Sequence, residues 1–340
     1  MIVVYSSRFE KMAFMPYPLS EGWKLRFKYL LNEIYENNLE TMLQIRKVKR
    51  YDETVLSAAH TKEYIKKVKE ASRNNEIKYL DYGDTISYKG VFDDALLVVS
   101  ATLTATEKAK EGNIVFQPNG GYHHAKEDQA SGFCIFNDIA IAAKSIQKQY
   151  RKIAIVDIDL HHGDDTQFIL YKDPILKISM HAYGIFLGTS SVYEIGEGRG
   201  KGYNINIPLR RYSGDDAGIY AVDNVIIPAL ETYEPEFLIV QMGADGHKND
   251  EMSALRFSYN FYVYFARKLR NIIETNTENK FVGLGGGGYN LISTVNSWLL
   301  MLSEISKEFT MDISLGESTK GYLEDVKKKV DKIKELVDWI

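Results

Sequence analysis

The sequence predicts an α/β fold: one domain over residues 1–340, with a mostly parallel central sheet, helices on both faces and a site at the strands' carboxyl ends. Three observations carry that expectation. Short, β-branched apolar runs alternate with longer helix-like stretches. No low-complexity tract, Pro-rich linker or repeat divides the chain. Polar, metal-competent residues cluster directly after the apolar runs, where open parallel sheets keep their sites.

Taken in order, Ile2-Val3-Val4-Tyr5 reads as a first strand. The start lacks the basic region and full apolar core of a signal peptide. The N-terminal third is otherwise helical, with segments at 21–36 and 55–72 packed around the sheet. Buried strands are expected at 114–116, 153–156, 177–180, 237–241 and 281–284. Helices at 138–148, 217–230 and 256–274 lie between them. In the final segment, 311–340, Val326, Val330, Ile333, Val337 and Ile340 form one helical stripe, which docks on the body or meets another subunit.

Composition narrows the function. Hydrophobic residues make up 45% of 340, enough for a substantial core, and the net charge of −4 argues against direct nucleic-acid binding. The single cysteine, Cys134, excludes an internal disulfide framework and fits a reducing cytoplasm. No apolar run approaches the roughly 20 residues needed to cross a bilayer, so no membrane partner is expected.

The chemistry lies just beyond the ends of the strands. His123-His124 come after the first of the five, Asp157–Asp164 after the second, and His181 after the third. Asp245 comes after the fourth, and Tyr289 after the fifth, behind Gly285-Gly286-Gly287-Gly288. In extended backbone, alternate side chains share a face. Asp157, Asp159 and His161 can therefore converge while Ile158 and Leu160 pack behind. Asp159, His161 and Asp245 form a ligand set for Zn²⁺, for which Fe²⁺ or Co²⁺ could compete, with positions left for water and substrate. The plainer alternative makes the two acids caps and the histidine a polar filler.

His123 and His124 suit a general base, since neutral imidazole can take a proton from water near pH 7. Asp157 and Asp164 are the acids available to orient them. Otherwise the pair are hydrogen-bond hubs. Tyr289 is a candidate oxyanion donor. Phe133 and Phe186 are channel walls or ordinary core aromatics. His60, in a helical run, reads as structural. His247 and Asp250 read as exposed loop groups, with extra metal ligands as the alternative.

These segments resemble the arginase-like deacetylases: histone deacetylases, prokaryotic acetoin-utilisation proteins and acetylpolyamine amidohydrolases. The specific stretches are Gly120–Asp138, Asp157–Asp164, Gln241–Asp245 and Gly285–Asn290, and weaker similarity extends from about residue 3 to 305. The resemblance implies a zinc-dependent hydrolase of acetyl or short-acyl amides. Asp159, His161 and Asp245 match the zinc ligands. His124 with Asp164 matches the general base, and His123 with Asp157 the second, electrostatic histidine. Tyr289 matches the residue that polarises the acyl carbonyl.

For the substrate, Phe133 and Phe186 match the tunnel walls, the Gly132 carbonyl the acceptor of the amide N–H, and Asp84 the rim aspartate. K⁺ is implied near the backbone of Asp157, Asp159 and His161 and near Ser179-Met180. Asp250-Glu251-Met252 departs from the usual Asp-Pro-Leu. Polyamine-selective relatives can carry an acid where this chain has Met252, which argues against polyamines. Tyr17-Pro18-Leu19 also departs from the usual His-Pro.

The expected partner is an acylated amine: acetyl-lysine in a protein, an acetylpolyamine or a small acetylated metabolite, with oligomerisation open. Two rival functions remain. A binuclear ureohydrolase would need further carboxylates, and a silent acyl-amine binder would need no base.

Overall fold

A computed structural model describes residues 1–186 and 190–340. Eight strands form one sheet: β1 (Ile2–Tyr5), β2 (Gln44–Lys47), β5 (Ile114–Gln117), β6 (Ile153–Asp157), β7 (Leu176–Ala182), β8 (Asn204–Leu209), β9 (Phe237–Gln241) and β10 (Phe281–Leu284). Two short strands, β3 (Lys78–Tyr79) and β4 (Ile86–Ser87), form a separate antiparallel hairpin. The sheet order is β2-β1-β5-β10-β9-β6-β7-β8, and every pairing in it is parallel.

The strands read as continuous apolar runs because both faces are covered. Ala154 and Val156 enter one core, and Ile153 and Ile155 the other; Leu238 and Val240 divide from Phe237 and Ile239 in the same way. Helices α2 (Lys62–Ala71), α3 (Val91–Lys110) and α4 (Asp138–Ile146) pack on the second core. Helices α6 (Asp215–Ala221), α7 (Ile227–Tyr233), α8 (Tyr259–Thr275), α9 (Leu291–Ser306) and α10 (Leu323–Leu336) pack on the first. Helix α1 (Leu19–Glu36) serves both, with Trp23 and Phe27 on one side and Leu30 and Ile34 on the other. The short α5 (Asp164–Ile169) comes after the histidine-rich loop that leaves β6.

All five expected internal strands are present, with small differences at their ends. The sheet gains two edge strands, β2 and β8, that apolar periodicity did not mark. The expected helix at 55–72 is two elements: a 3₁₀ segment (Glu53–Ala58) and α2, which restarts where the Thr61 side chain accepts from the Tyr64 N–H. His60 therefore lies in the break and not in a helix.

The expected helix at 217–230 contains a π-turn (Val222–Ile226) ahead of Pro228. Proline has no N–H to give to the preceding turn, and the wider turn accommodates it. The C-terminal stripe docks on the body: Val326, Val330, Ile333 and Val337 are buried against α6 and β8, each stabilising by roughly 1.5–3 kcal/mol. Among the described residues no helix is long and apolar enough to cross a membrane.

Candidate active site

Strand β6 delivers Asp157 at its last position, and in the bend that follows Ile158 and Leu160 are fully buried. Asp159 and His161 alternate with them and face Asp245, which lies just beyond β9. His161 Nδ1 lies 3.3 Å from Asp159 Oδ1 and 3.2 Å from Asp245 Oδ2. Backbone and amide donors fix the acids. Asp159 Oδ2 accepts from Gln241 Nε2 at 2.6 Å and the Gly287 N–H at 2.8 Å. Asp245 Oδ1 accepts from the Leu160 N–H at 2.8 Å.

The ligand atoms of Asp159, His161 and Asp245 all lie within 4.8 Å of one another, and no other such trio forms among the described residues. Burial alone would lower the His161 ring, yet Asp159 and Asp245 push it up to about 10. Two buried carboxylates around one imidazole form a pocket short of positive charge. That donor set fits a divalent cation.

The histidine pair sits alongside, in the loop after β5. His123 Nδ1 meets Asp157 Oδ2 at 2.7 Å, and His124 Nδ1 meets Asp164 Oδ1 at 2.5 Å. The two rings are 4.0 Å apart. Both are buried, which disfavours the charged form, but they diverge. Asp157 and Asp159 overcome burial and push His123 up to about 9. For His124, burial and the neighbouring His123 charge outweigh Asp164 and lower it to about 4. His123 thus favours its protonated form and His124 its neutral form.

Sequence reasoning left His60 with no part in this loop. His60 Nε2 accepts from the Asn137 N–H at 2.9 Å, and its Nδ1 donates to the Lys126 carbonyl at 2.8 Å. Asn137 Nδ2 in turn donates to the His123 carbonyl at 3.3 Å. His60 is thus a buried hub in its neutral form.

Tyr289 ends the glycine turn after β10. A Cβ on Gly287 would collide with the Asp245 carboxylate, so the turn passes this close only with glycine there. Burial, then the Asp245 and Asp159 charges, hold the phenol well above its ordinary value, so it remains a donor.

Two supports of this turn were missed. Asp250, expected to be exposed, is buried, and its Oδ2 accepts from the Tyr289 N–H at 2.6 Å and the Asn290 N–H at 2.9 Å. Arg26, on α1, is also buried and donates to the Gly286 and Gly288 carbonyls at 3.0 and 3.1 Å. His247 is likewise buried, against the Tyr259 ring at 4.6 Å. Neither Asp250 nor His247 joins the ligand trio, so neither is the extra ligand that a ureohydrolase reading would have drawn from them. Only the position of Asp250, five residues after Asp245, hinted at its use.

Gly132 and Phe133 form a left-handed step with φ of 51° and 67°. A Cβ on Gly132 would lie 2.7 Å from His124 Cδ2, so glycine is required there. Phe133 tolerates its conformation because its N–H is held by Thr85 Oγ1 at 3.0 Å and a bridge joins Ser131 to Cys134. The Phe133 and Tyr289 rings are 6.2 Å apart, and Phe186 lies 4.5 Å from the His124 ring.

Asp84 is exposed in the turn that carries Thr85. Met252 is 38% exposed, and its N–H donates to Asp250 Oδ1 at 3.0 Å, which places its loop beside the Tyr289 turn. His123, His124, Gly132, Phe133, Asp159, His161, Asp245 and Tyr289 thus line one cavity.

His162 and His181 lie behind it. Their rings are 4.5 Å apart, with His162 Nε2 on Asn206 Oδ1 at 3.0 Å and His181 Nδ1 on Ser179 Oγ at 2.9 Å.

Comparison with known proteins agrees with this arrangement. The histone deacetylase domain matches residues 23–305. The chain is 36% identical over 251 residues to the acetoin utilization protein AcuC of Bacillus subtilis, covering 70% of this chain and 65% of that protein. It is 33% identical to histone deacetylase 8 of Xenopus laevis, over 74% of this chain and 79% of that one. It is 32% identical to a probable deacetylase of Archaeoglobus fulgidus, over 78% and 75%. The crystal structure of the HDA15 HD domain shares the fold, with a TM-score of 0.85, 23% identity and coverage of 99% and 96%. The chain belongs to the histone deacetylase family of metal-dependent hydrolases.

Proposed function

We propose that the protein hydrolyses the acetyl or short-acyl amide of a primary amine such as acetyl-lysine. One observation carries the reading: two carboxylate-bound histidines, a three-donor cation site and a buried phenol line a single cavity. A Zn²⁺ ion, or Fe²⁺ or Co²⁺, held by Asp159, His161 and Asp245 would supply Lewis acidity towards the acyl carbonyl and the attacking water.

With its Nδ1–H donated to Asp164, His124 keeps a lone pair on Nε2 and takes the proton of the attacking water. Tyr289 donates its hydroxyl to the developing oxyanion. His123, its protonated form favoured by Asp157 and Asp159, supports proton delivery to the leaving amine. Phe133 and Phe186 hold the alkyl chain, the Gly132 carbonyl receives the amide N–H, and Asp84 and Met252 meet the substrate at the rim. K⁺ binding near Asp157, Asp159, His161 and Ser179-Met180 belongs to the same reading.

A base and an oxyanion donor distinguish this site from a silent binder, which needs neither. The test is turnover by protein loaded with Zn²⁺, Fe²⁺ or Co²⁺ on an acetyl-lysine peptide, an acetylpolyamine and longer acyl-lysines. Acetate or acyl release from at least one is expected. Tight binding of these amides without release, in protein shown to hold metal, overturns the reading.

A further inference from the structure

A second cleft, of about 730 Å³, is lined by residues outside the proposed acyl site. That is the size of a small-ligand pocket. Tyr183, Tyr212 and Tyr322 form aromatic walls, and all three are exposed. Its charges are Arg210, Arg211 and Lys329 against the single acid Asp325. Lys329 is neutralised by Asp325 at 2.7 Å. Among the described residues the arginines that pair with carboxylates are Arg8, Arg267 and Arg270, so Arg210 and Arg211 keep uncompensated charge. Arg210 lies 4.6 Å from the Tyr322 ring, which holds the guanidinium in place. A net positive cleft in a chain of net charge −4 is a local feature and not a reflection of bulk charge.

Its position ties it to the acyl site. Tyr183 and Phe186 lie on one short segment after β7, three residues apart and so at most about 11 Å along the chain. On the other wall, the Tyr212 N–H bonds the Ala254 carbonyl at 2.7 Å, two residues beyond Met252. The cleft wall therefore lies within a few residues of both Phe186 and Met252.

Resting on the amide-hydrolase reading, the geometry points to a substrate subsite for an acidic peptide segment next to the acyl-lysine. Aspartate or glutamate within a few residues of that lysine pairs with Arg210 and Arg211, and the tyrosines cover the intervening backbone. A polyamine tail, which is cationic, is repelled here.

The test uses the full metal-loaded chain. Acetyl-lysine peptides with Asp/Glu, Ser/Gln or Lys/Arg flanks are compared on wild type and on an Arg210→Gln/Arg211→Gln variant, with a capped acetyl-lysine as minimal substrate. Two partly exposed ion pairs predict a roughly 5- to 10-fold higher kcat/KM for acidic over basic flanks, carried by KM and weakened by salt. In the variant the preference falls below about 2-fold while the minimal substrate turns over as in wild type. Equal use of all flanks by wild type, or a preference that survives the double substitution, overturns the subsite. Competition by inorganic phosphate without any flank preference assigns the cleft to a free anion and also overturns it. If no substrate is turned over, the amide-hydrolase reading has failed, and anisotropy of labelled acidic and basic peptides on both proteins still decides whether the cleft selects acid.

Discussion

The two tandem histidine pairs are alike in sequence and opposite in use. In the first pair both Nδ1 atoms meet carboxylates, Asp157 and Asp164, and both rings line the cavity. In the second pair the rings diverge. His161 faces Asp159 and Asp245, while His162 turns back to the amide oxygens of Gln167 and Asn206. The second pair sits in the bend after β6, where the two rings leave towards different partners. The first sits in a loop, where Asn137 and Thr166 hold the His123 carbonyl. Partner chemistry then sets charge. Burial lowers all four rings, and only those facing two carboxylates, His123 and His161, rise above it. Tandem histidines are therefore not one motif but two, distinguished by what the fold sets against them.

The contrast can be broken most sharply at the carboxylate of the proposed base. Asp164→Asn should cut kcat by about 10- to 100-fold, because an amide can favour the wrong tautomer of His124, while the melting temperature moves little. His162→Gln should do the reverse. It should cost stability of about 1–3 kcal/mol through a disturbed buried network and leave turnover within a few-fold. Denaturant unfolding and steady-state kinetics on both variants check this, and similar kinetic losses in both would erase the distinction.

A smaller effect is expected at Asp250, whose Oδ2 holds the backbone of the Tyr289 turn while Oδ1 accepts from the Met252 N–H. Asp250→Ala should lower kcat by about 10-fold, and adding it to Tyr289→Phe should cost less than the two losses combined, as for residues acting through one group. Full additivity would detach Asp250 from Tyr289.

Stability and not turnover is at stake at His60, whose two ring nitrogens suit only the neutral form. Burial lowers it to about 4 from 6.5. The unfolded chain therefore binds a proton below pH 6.5 that the folded chain refuses until about pH 4. Stability is complete above pH 6.5 and declines as pH falls towards 4, by up to about 3 kcal/mol from this residue. Unfolding measured across that range should be less pH-dependent in His60→Gln, and an unchanged slope would assign the acid sensitivity elsewhere.

How far the fold and site were legible depends on the same contrast. The internal strands announced themselves because burial on both faces demands unbroken apolar runs such as Phe237–Gln241. Edge strand β2, Gln44-Ile45-Arg46-Lys47, is largely exposed and carries no such demand. Strand β8 alternates Asn204 and Asn206, which serve the His162 network, with buried isoleucines. The restart at Thr61 was hidden because apolar spacing continues across it. Within the site, residues whose side chains meet other ionisable side chains stood out by type. Asp250, Arg26 and His60 did not, because each meets backbone atoms distant in sequence, and no spacing rule names a backbone partner.

The most direct test of the account is the turnover of metal-loaded His124→Ala beside wild type on the best acylated amine, with metal content measured in both. Hydrolysis by wild type and a fall of about 10²-fold or more in the variant, at equal metal content, is the predicted result. Equal turnover in the two proteins would contradict it, because the lone pair on His124 would then have no part in the reaction.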